Sequence, residues 1–373
     1  MQTVQISVYR LQSAQVAEFY ITAVPSAGGA TEQAQEVYQA VAAAVDCTGG
    51  RIFQERVFFA PGNIDIVQAA RAKAYGELDD GVPPTLLHVV GNADGAVTGV
   101  QAHVVACDSP IEPFEVDGKR CGRVVRAGGR TLLGLAGMTA VDGDSACDQA
   151  RLMLMKAEKA ANMAGGDMFS VVRTWMWLGD LLSWYDDFND VRNAFFRQVG
   201  LISPGGVHRL PASTGISIAP ATGGYCGMDM VAVIEKGGPT AQSLLAGGDQ
   251  GSAYDYGSAF SRGLRAHTLA GETVYISGTA AIDASGRTEH IGDIGGQVAS
   301  TIAHSRTVLG DLGCGDEDVV QAMAYCKTAE VEQFFRREYA DLCWPSIISV
   351  CDVCRHDLLF EVEVTASSGA EKF

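Results

Sequence analysis

The sequence predicts an α+β protein in which one unit is written three times and closed on itself. Three observations carry that reading. The stretch Leu358–Ala366, LLFEVEVTA, alternates cleanly: Leu358, Phe360, Val362 and Val364 share one face and Leu359, Glu361 and Glu363 the other, because strand side chains have a period of two. The stretch Gly271–Glu289, GETVYISGTAAIDASGRTE, reads as a strand, a Gly-containing bend and a second strand, with turn residues at Asp283–Gly286 closing a hairpin. Gly129–Asp144, GRTLLGLAGMTAVDGD, repeats that second stretch, with the same strand, Gly, Thr-Ala step and Asp-containing turn. Self-similarity of this kind marks a repeat architecture.

The copies continue downstream in the same order. In the middle copy Gln149–Met163 is predicted as a helix, Met168–Trp177 as a strand, Trp184–Phe196 as a second helix, and Pro211–Ile218 and Met228–Ile234 as strands. In the last copy the order runs through Gln297–Leu312, Val319–Lys327, Val331–Tyr339, Pro345–Cys354 and Leu358–Ala366. A more worn first copy has strand Phe19–Val24, helix Thr31–Val45, strand Arg51–Phe59, helix Ile64–Tyr75, and strands Pro84–Val90 and Gly99–Cys107. The units are placed at residues 1–110, 111–240 and 241–373, each a mainly antiparallel sheet backed by two helices on one face. Sheets with one uncovered face must bury it, and three in one chain can do so around a pseudo-threefold axis. The segments Asp108–Val125 and Glu235–Ala253, rich in Gly, Pro and polar residues, read as linkers or loops.

The totals bound the function. A chain of 373 residues with 47% hydrophobic content can bury a large core. A formal net charge of -17 makes nucleic acid and anionic membrane poor partners, since both are met with Lys and Arg. The N-terminal MQTVQISVYRLQ lacks a basic segment followed by an apolar run, and no stretch of about 18 apolar residues suggests a membrane span, so a soluble cytoplasmic protein is expected. The ten cysteines lie in apolar contexts and most read as buried thiols; Cys351 and Cys354 form a C-x-x-C with no second pair at metal spacing. The seven histidines show no ligand spacing, and no phosphate loop of strand–loop–helix form is present, so neither metal nor organic cofactor is expected. Three units in one chain leave the assembly open between a monomer and a homo-oligomer.

The face that carries Glu361 and Glu363 must look at water or at a subunit-like surface, and chemistry is expected there. The run YISGTAAIDASGRTEHIGDIGGQ with a C-terminal EVEV hairpin resembles the YjgF/Rid family, a chorismate-mutase-like fold whose members form trimers with ligand clefts between subunits. The chain thus resembles such a trimer fused into one polypeptide. The arginine with which the family's deaminases grip a carboxylate is replaced at the matching place by Ile348, which argues against simple deaminase activity. A closer resemblance is to the chorismatase branch, which cleaves chorismate and releases pyruvate. It rests on Arg173-Thr-Trp175, Pro211-Ala-Ser-Thr-Gly-Ile216, the loop from Tyr256 to Arg262, Ile276-Ser-Gly278 and the run from Arg355 to Glu361.

That resemblance implies a catalytic acid at Glu361 and a carboxylate-binding set of Arg173, Tyr256 and Arg262, with Thr214 and Glu363 beside them. It also implies that the pair Gly278 and Cys354 directs the reaction to a hydroxybenzoate rather than a dihydroxycyclohexadiene carboxylate. The chemistry suits these residue types. A small carboxylate substrate needs fixed cations, for which the planar guanidinium fork is adapted, and loss of pyruvate needs a carboxylic acid to protonate the enol ether. Read without the resemblance, Glu361 is equally a solvated strand carboxylate, Arg173 an ion-pair partner of Asp180 or Asp187, and Cys354 a small buried hydrophobe. Trp175, Trp177, Trp184 and Phe188 read as core. Two rivals stand beside the chorismatase reading: a Rid-like hydrolase, dehydratase or cyclase acting on another intermediate, and a metabolite-binding protein without catalysis.

Overall fold

The computed structural model describes residues 4–26, 28–89, 95–238 and 240–373. Three helix-backed sheets follow one another along the chain. In the first unit strands Val4–Gln12, Val16–Pro25, Arg51–Phe59, Thr85–His88 and Val97–Cys107 are backed by α1 (Ala30–Thr48) and α2 (Ile64–Tyr75). The second unit uses Ile111–Val116, Lys119–Ala127, Arg130–Thr139, Val171–Leu178, Ala212–Ile216 and Cys226–Glu235 with α3 (Ala146–Met163) and α4 (Tyr185–Gln198). The third uses Ala241–Leu244, Gly263–His267, Glu272–Ala280, Val319–Cys326, Ser346–Val350 and Phe360–Ala366 with α5 (Ile294–Asp311) and α6 (Ala329–Glu338). Each sheet is antiparallel except at one edge, where the strand after the second helix runs parallel to its neighbour. No helix among the described residues is long and apolar enough to cross a membrane.

Helix starts are fixed locally. Ser145, Asp293 and Thr328 accept backbone N–H bonds in the first turns of α3, α5 and α6, where the amides have no helical partner. Burial then sorts the faces. Phe360, Val362 and Val364 pack under α5 and α6, while the alternate residues turn inward. A central core joins inner-face residues of all three units, among them Phe53 and Phe58, Trp175 and Trp177, and Tyr275, Tyr325 and Ile347. Glu361 and Glu363 therefore face a surface built by the other units and are only 3% and 4% exposed.

Three expectations are corrected. Asp108–Val125 is not a linker: it forms most of a hairpin, Ile111–Val116 with Lys119–Ala127, that extends the second sheet. Glu235–Ala253 contains the edge strand Ala241–Leu244. Both are edge segments with one wet side, so their polar composition mimics that of a loop. The hairpin expected over Gly271–Glu289 is a strand, Glu272–Ala280, followed by a turn with one bridge between Ile282 and Thr288. The turn is held by Asp283, which accepts the N–H groups of Ser285 and Arg287. Val90, the expected end of one first-unit strand, lies outside the described residues.

The first sheet borrows strands from its neighbours. Ala219–Pro220 pairs with Thr85–His88 at one edge and Glu371–Lys372 with Val4–Gln12 at the other, so seven strands align in it. Sheet edges otherwise open to pairing are covered, and the ends of units two and three are tied to unit one.

Candidate active site

Strand Phe360–Ala366 sets Glu361 opposite Ala280 on one side and Tyr325 on the other. The ladder between Ile276 and Thr279 is irregular, and the extra residues there bring the Gly278 backbone against the Glu361 carboxyl. A Cβ at Gly278 would overlap Glu361 Oε1 and stand 3.1 Å from Thr214 Cγ2, so only glycine fits with the carboxyl where it is. Thr214 lies on Ala212–Ile216 of unit two, which continues onto unit three through the Ser261 N–H to Pro211 O bond (3.0 Å) and the Ser213 N–H to Ser277 Oγ bond (2.8 Å). The glutamate thus sits at the seam between units two and three.

A cavity opens at that seam, with about 490 Å³ of non-protein space including its mouth. Unit two contributes Tyr185 and Arg192 from α4 with Ser213 and Gly215, and unit three contributes Tyr256, Phe260, Arg262, Gly278, Cys354, Arg355 and Glu361. Burial, and then the charge of Glu363, push the Glu361 carboxyl up to about 8 against the pull of Arg173, Arg262 and the Cys354 thiol. The group is a neutral acid at pH 7. Burial pushes the Cys354 thiol up to about 12, the neighbouring Glu361 adding to the effect, which leaves it a proton-bearing group rather than a thiolate. Tyr185 and Tyr256 are also raised by burial and stay protonated.

The cations here are unusual in their partners. Arg192 is buried, donates from Nη2 to Asn189 Oδ1 at 2.6 Å, and leaves Nε without a hydrogen-bond partner. Arg262 is equally buried and bonds the Gly251 carbonyl and the Tyr256 hydroxyl. Arg355 bonds the Gly286 carbonyl at 2.7 Å and lies over the Tyr256 ring. Among the described residues none of the three has a carboxylate within ion-pair distance. Guanidinium groups held in a desolvated wall without an anion are a ready receptor for one.

Of the residues singled out from sequence, Glu361, Cys354, Tyr256, Arg262 and Gly278 converge on this cavity, and Thr214 stands directly behind Gly278. Arg173 and Glu363 do not line it. The Arg173 Nη2 donates to Glu363 Oε2 at 2.6 Å and to Thr214 Oγ1 at 2.7 Å, and Trp175 Nε1 donates to Glu363 Oε1 at 2.8 Å. Arg56 of unit one stacks on Trp175 at 3.7 Å and approaches Glu363 Oε1 at 3.8 Å. Arg173 and Glu363, expected at the substrate, are instead paired with each other where the three units meet, while Arg173 Nε and Nη1 have no hydrogen-bond partner. Nor does Arg173 pair with Asp180 or Asp187. Trp175, Trp177, Trp184 and Phe188 are buried core, though Trp175 also serves the ion cluster.

Tyr185 and Arg192 were not singled out from sequence. Their signal is the run Asn189, Arg192 and Asn193 on α4, whose i, i+3, i+4 spacing puts polar groups in line with a buried stripe. No group of three or more His, Cys, Asp or Glu side chains that could hold a metal occurs among the described residues.

No protein-family model matches the sequence, and no curated protein matches it. Among solved structures, the crystal structure of a chorismatase aligns over 85% of this chain and 93% of its own length, with a TM-score of 0.61 and 20% identity. Smaller proteins align over 34% of the chain: the YjgF gene product of E. coli (16% identity, 99% of its length, TM-score 0.27) and the Rid-family protein YyfA of Yersinia pestis (20% identity, 99% of its length, TM-score 0.28). Three helix-backed sheets closed around one central core, aligned with the chorismatase structure over 85% of the chain, show that this chain has the fold of that structure.

Proposed function

We propose that the chain is a chorismatase-like enzyme that cleaves chorismate to pyruvate and a hydroxybenzoate. The observation that carries this is a protonated carboxyl, Glu361, in a cavity whose walls hold carboxylate-free guanidinium groups at Arg192 and Arg262. The likeness to the chorismatase structure supports the choice of substrate. Chorismate presents two carboxylates to such cations, one on the ring and one on the enolpyruvyl ether, and burial strengthens both pairings.

Glu361 delivers its proton to the methylene carbon of the enol ether, and positive charge develops on the ether carbon next to oxygen. The carboxylate left behind faces that charge across the cavity. Breaking the ring C–O bond then releases pyruvate. In the aromatic outcome the ring cation left by C–O cleavage loses a proton to the Glu361 carboxylate, which restores the acid, and one chorismate gives one pyruvate and one hydroxybenzoate without net water. Addition of water instead gives the dihydroxycyclohexadiene carboxylate. The aromatic outcome is chosen because the pair Gly278 and Cys354, both lining the cavity, resembles that of the hydroxybenzoate-forming type.

The test is to incubate the pure protein with chorismate, following pyruvate enzymatically and the ring product chromatographically. Pyruvate and hydroxybenzoate in equal amounts are expected. No pyruvate above the spontaneous rate would remove the substrate assignment, and a diene acid in place of the aromatic product would remove the role given to Gly278 and Cys354.

A further inference from the structure

The strand registers relate the three seams to one another, and the seams have diverged. Glu361, opposite Tyr325, corresponds to Gly227 opposite Trp177 in unit two and to Gly99 opposite Phe58 in unit one. Thr214, paired with Trp175, corresponds to Thr85 paired with Arg56 and to Ile347 paired with Met323. The irregular step that carries Gly278 recurs at Gly137, where a Cβ would stand 3.3 Å from Thr85 Cα. At the seam between units one and three the space is filled: a Cβ on Gly99 would lie 2.7 Å from Ile347 Cδ1.

At the seam between units one and two the position of the acid is closed as well, a Cβ on Gly227 standing 2.9 Å from Pro220 Cγ. Beside that seam, however, unit two with Pro83 of unit one encloses a separate cavity of about 1000 Å³ including its mouth, along the hairpin segment Gly137–Val141. Cys121 occupies the place of Arg262, each directly preceding the paired glycines Gly122 and Gly263. The loop carrying Tyr256 has no counterpart, because Lys119–Ala127 follows Ile111–Val116 after a turn at Asp117 and Gly118. The wall is apolar at Val116, Met138 and Val141. Lys156 of α3 reaches in, half-buried, with its ammonium 3.3 Å from the Thr139 carbonyl and no carboxylate of the described residues within ion-pair distance. Asp117 is engaged by Lys159, and Arg120 by Glu115 and the Asp80 carbonyl. Asp142 at the rim opposes a second negative charge on a ligand.

We propose that this cavity is a second, non-catalytic binding site for a small monocarboxylate with an apolar body. The carboxylate pairs with Lys156 and the body lies against Met138 and Val141. No turnover occurs there, since the register position of Glu361 is held in unit two by Gly227, outside the cavity. The site does not depend on the cleavage reaction assigned to the catalytic cavity, and its test reads binding alone.

The protein is labelled with ¹³C-methyl methionine and titrated with 3-fluorobenzoate. The Met138 methyl resonance is expected to shift and saturate. Lys156→Met should weaken the titration by at least about tenfold, the scale of a lost charge-assisted contact, and Lys156→Arg should restore most of it. Val141→Trp, at a half-exposed position on the rim, should block it. A Met138 methyl that does not move, or a titration indifferent to Lys156→Met, overturns the proposal.

Discussion

Glu361→Gln tests the acid at two independent points. In the folded chain the Glu361 carboxyl stands at about 8, against 4.5 for an unperturbed glutamate. At pH 7 it is about 90% protonated, where an ordinary glutamic acid is well under 1% protonated. The folded value lies above the unfolded one, so the native state holds an extra proton between these limits. The contribution of Glu361 to stability is therefore greatest below pH 4.5 and declines as pH rises toward 8. Accumulated to pH 7, the cost is on the order of 3 kcal/mol. The variant should lose about 10²–10⁴-fold in kcat, the usual contribution of a positioned general acid, while becoming more stable than wild type at pH 8 and nearly equal to it at pH 4.5. The assay is pyruvate release from pH 5.5 to 9.5 beside urea unfolding at pH 4.5 and 8. Wild-type kcat should fall above about pH 8, where the proton is lost. Retained activity in the variant, or a wild-type profile without that limb, would refute Glu361 as the acid. An unchanged difference in stability between pH 4.5 and 8 would refute its buried, neutral state.

Arg173→Met leaves Glu363 buried without its closest cation and should destabilise the fold by about 3–5 kcal/mol in chemical denaturation. Pairing it with Glu363→Leu should recover most of that loss, and a double variant as unstable as the single one would contradict the ion-cluster role. Gly278→Ala places a methyl group where the Glu361 carboxyl lies, so kcat should drop at least about tenfold with a cooperative unfolding transition retained. Wild-type turnover in that variant would show that the carboxyl is not held against this glycine. Glu18 is buried at the seam of units one and three, where it accepts the Ala270 N–H at 2.7 Å and meets His103 at 2.9 Å; its carboxyl is held below the usual value against the cost of burial. Its contribution is present above about pH 4.5 and is lost as pH falls through the lowered folded value. Glu18→Gln should therefore flatten the acid limb of the stability curve, and an unchanged limb in thermal unfolding between pH 3 and 6 would argue against it.

Repetition and strand period were legible without coordinates. The alternation of Leu358–Ala366 fixes Glu361 and Glu363 on one face whatever packs above it, because a period of two is a property of the extended backbone. The hairpin likeness between Gly129–Asp144 and Gly271–Glu289 is likewise a local pattern, and it was enough to order three units along the chain. The edge strands at Ile111–Val116 and Ala241–Leu244 were not legible, since a strand with one wet side and turn residues at its ends has the composition of a loop.

By itself the sequence determined that two glutamates share one face of a strand, open to water or to a subunit-like surface. Only the tertiary structure decided which glutamate is held protonated beside a cavity and which is ion-paired. Both are equally buried, but Glu363 meets Arg173 and Trp175 from unit two and Arg56 from unit one, whereas Glu361 meets a glycine, a thiol and an open cavity. Those partners lie far away along the chain, and the energy of a buried charge is set by what surrounds it in space, which local sequence does not record.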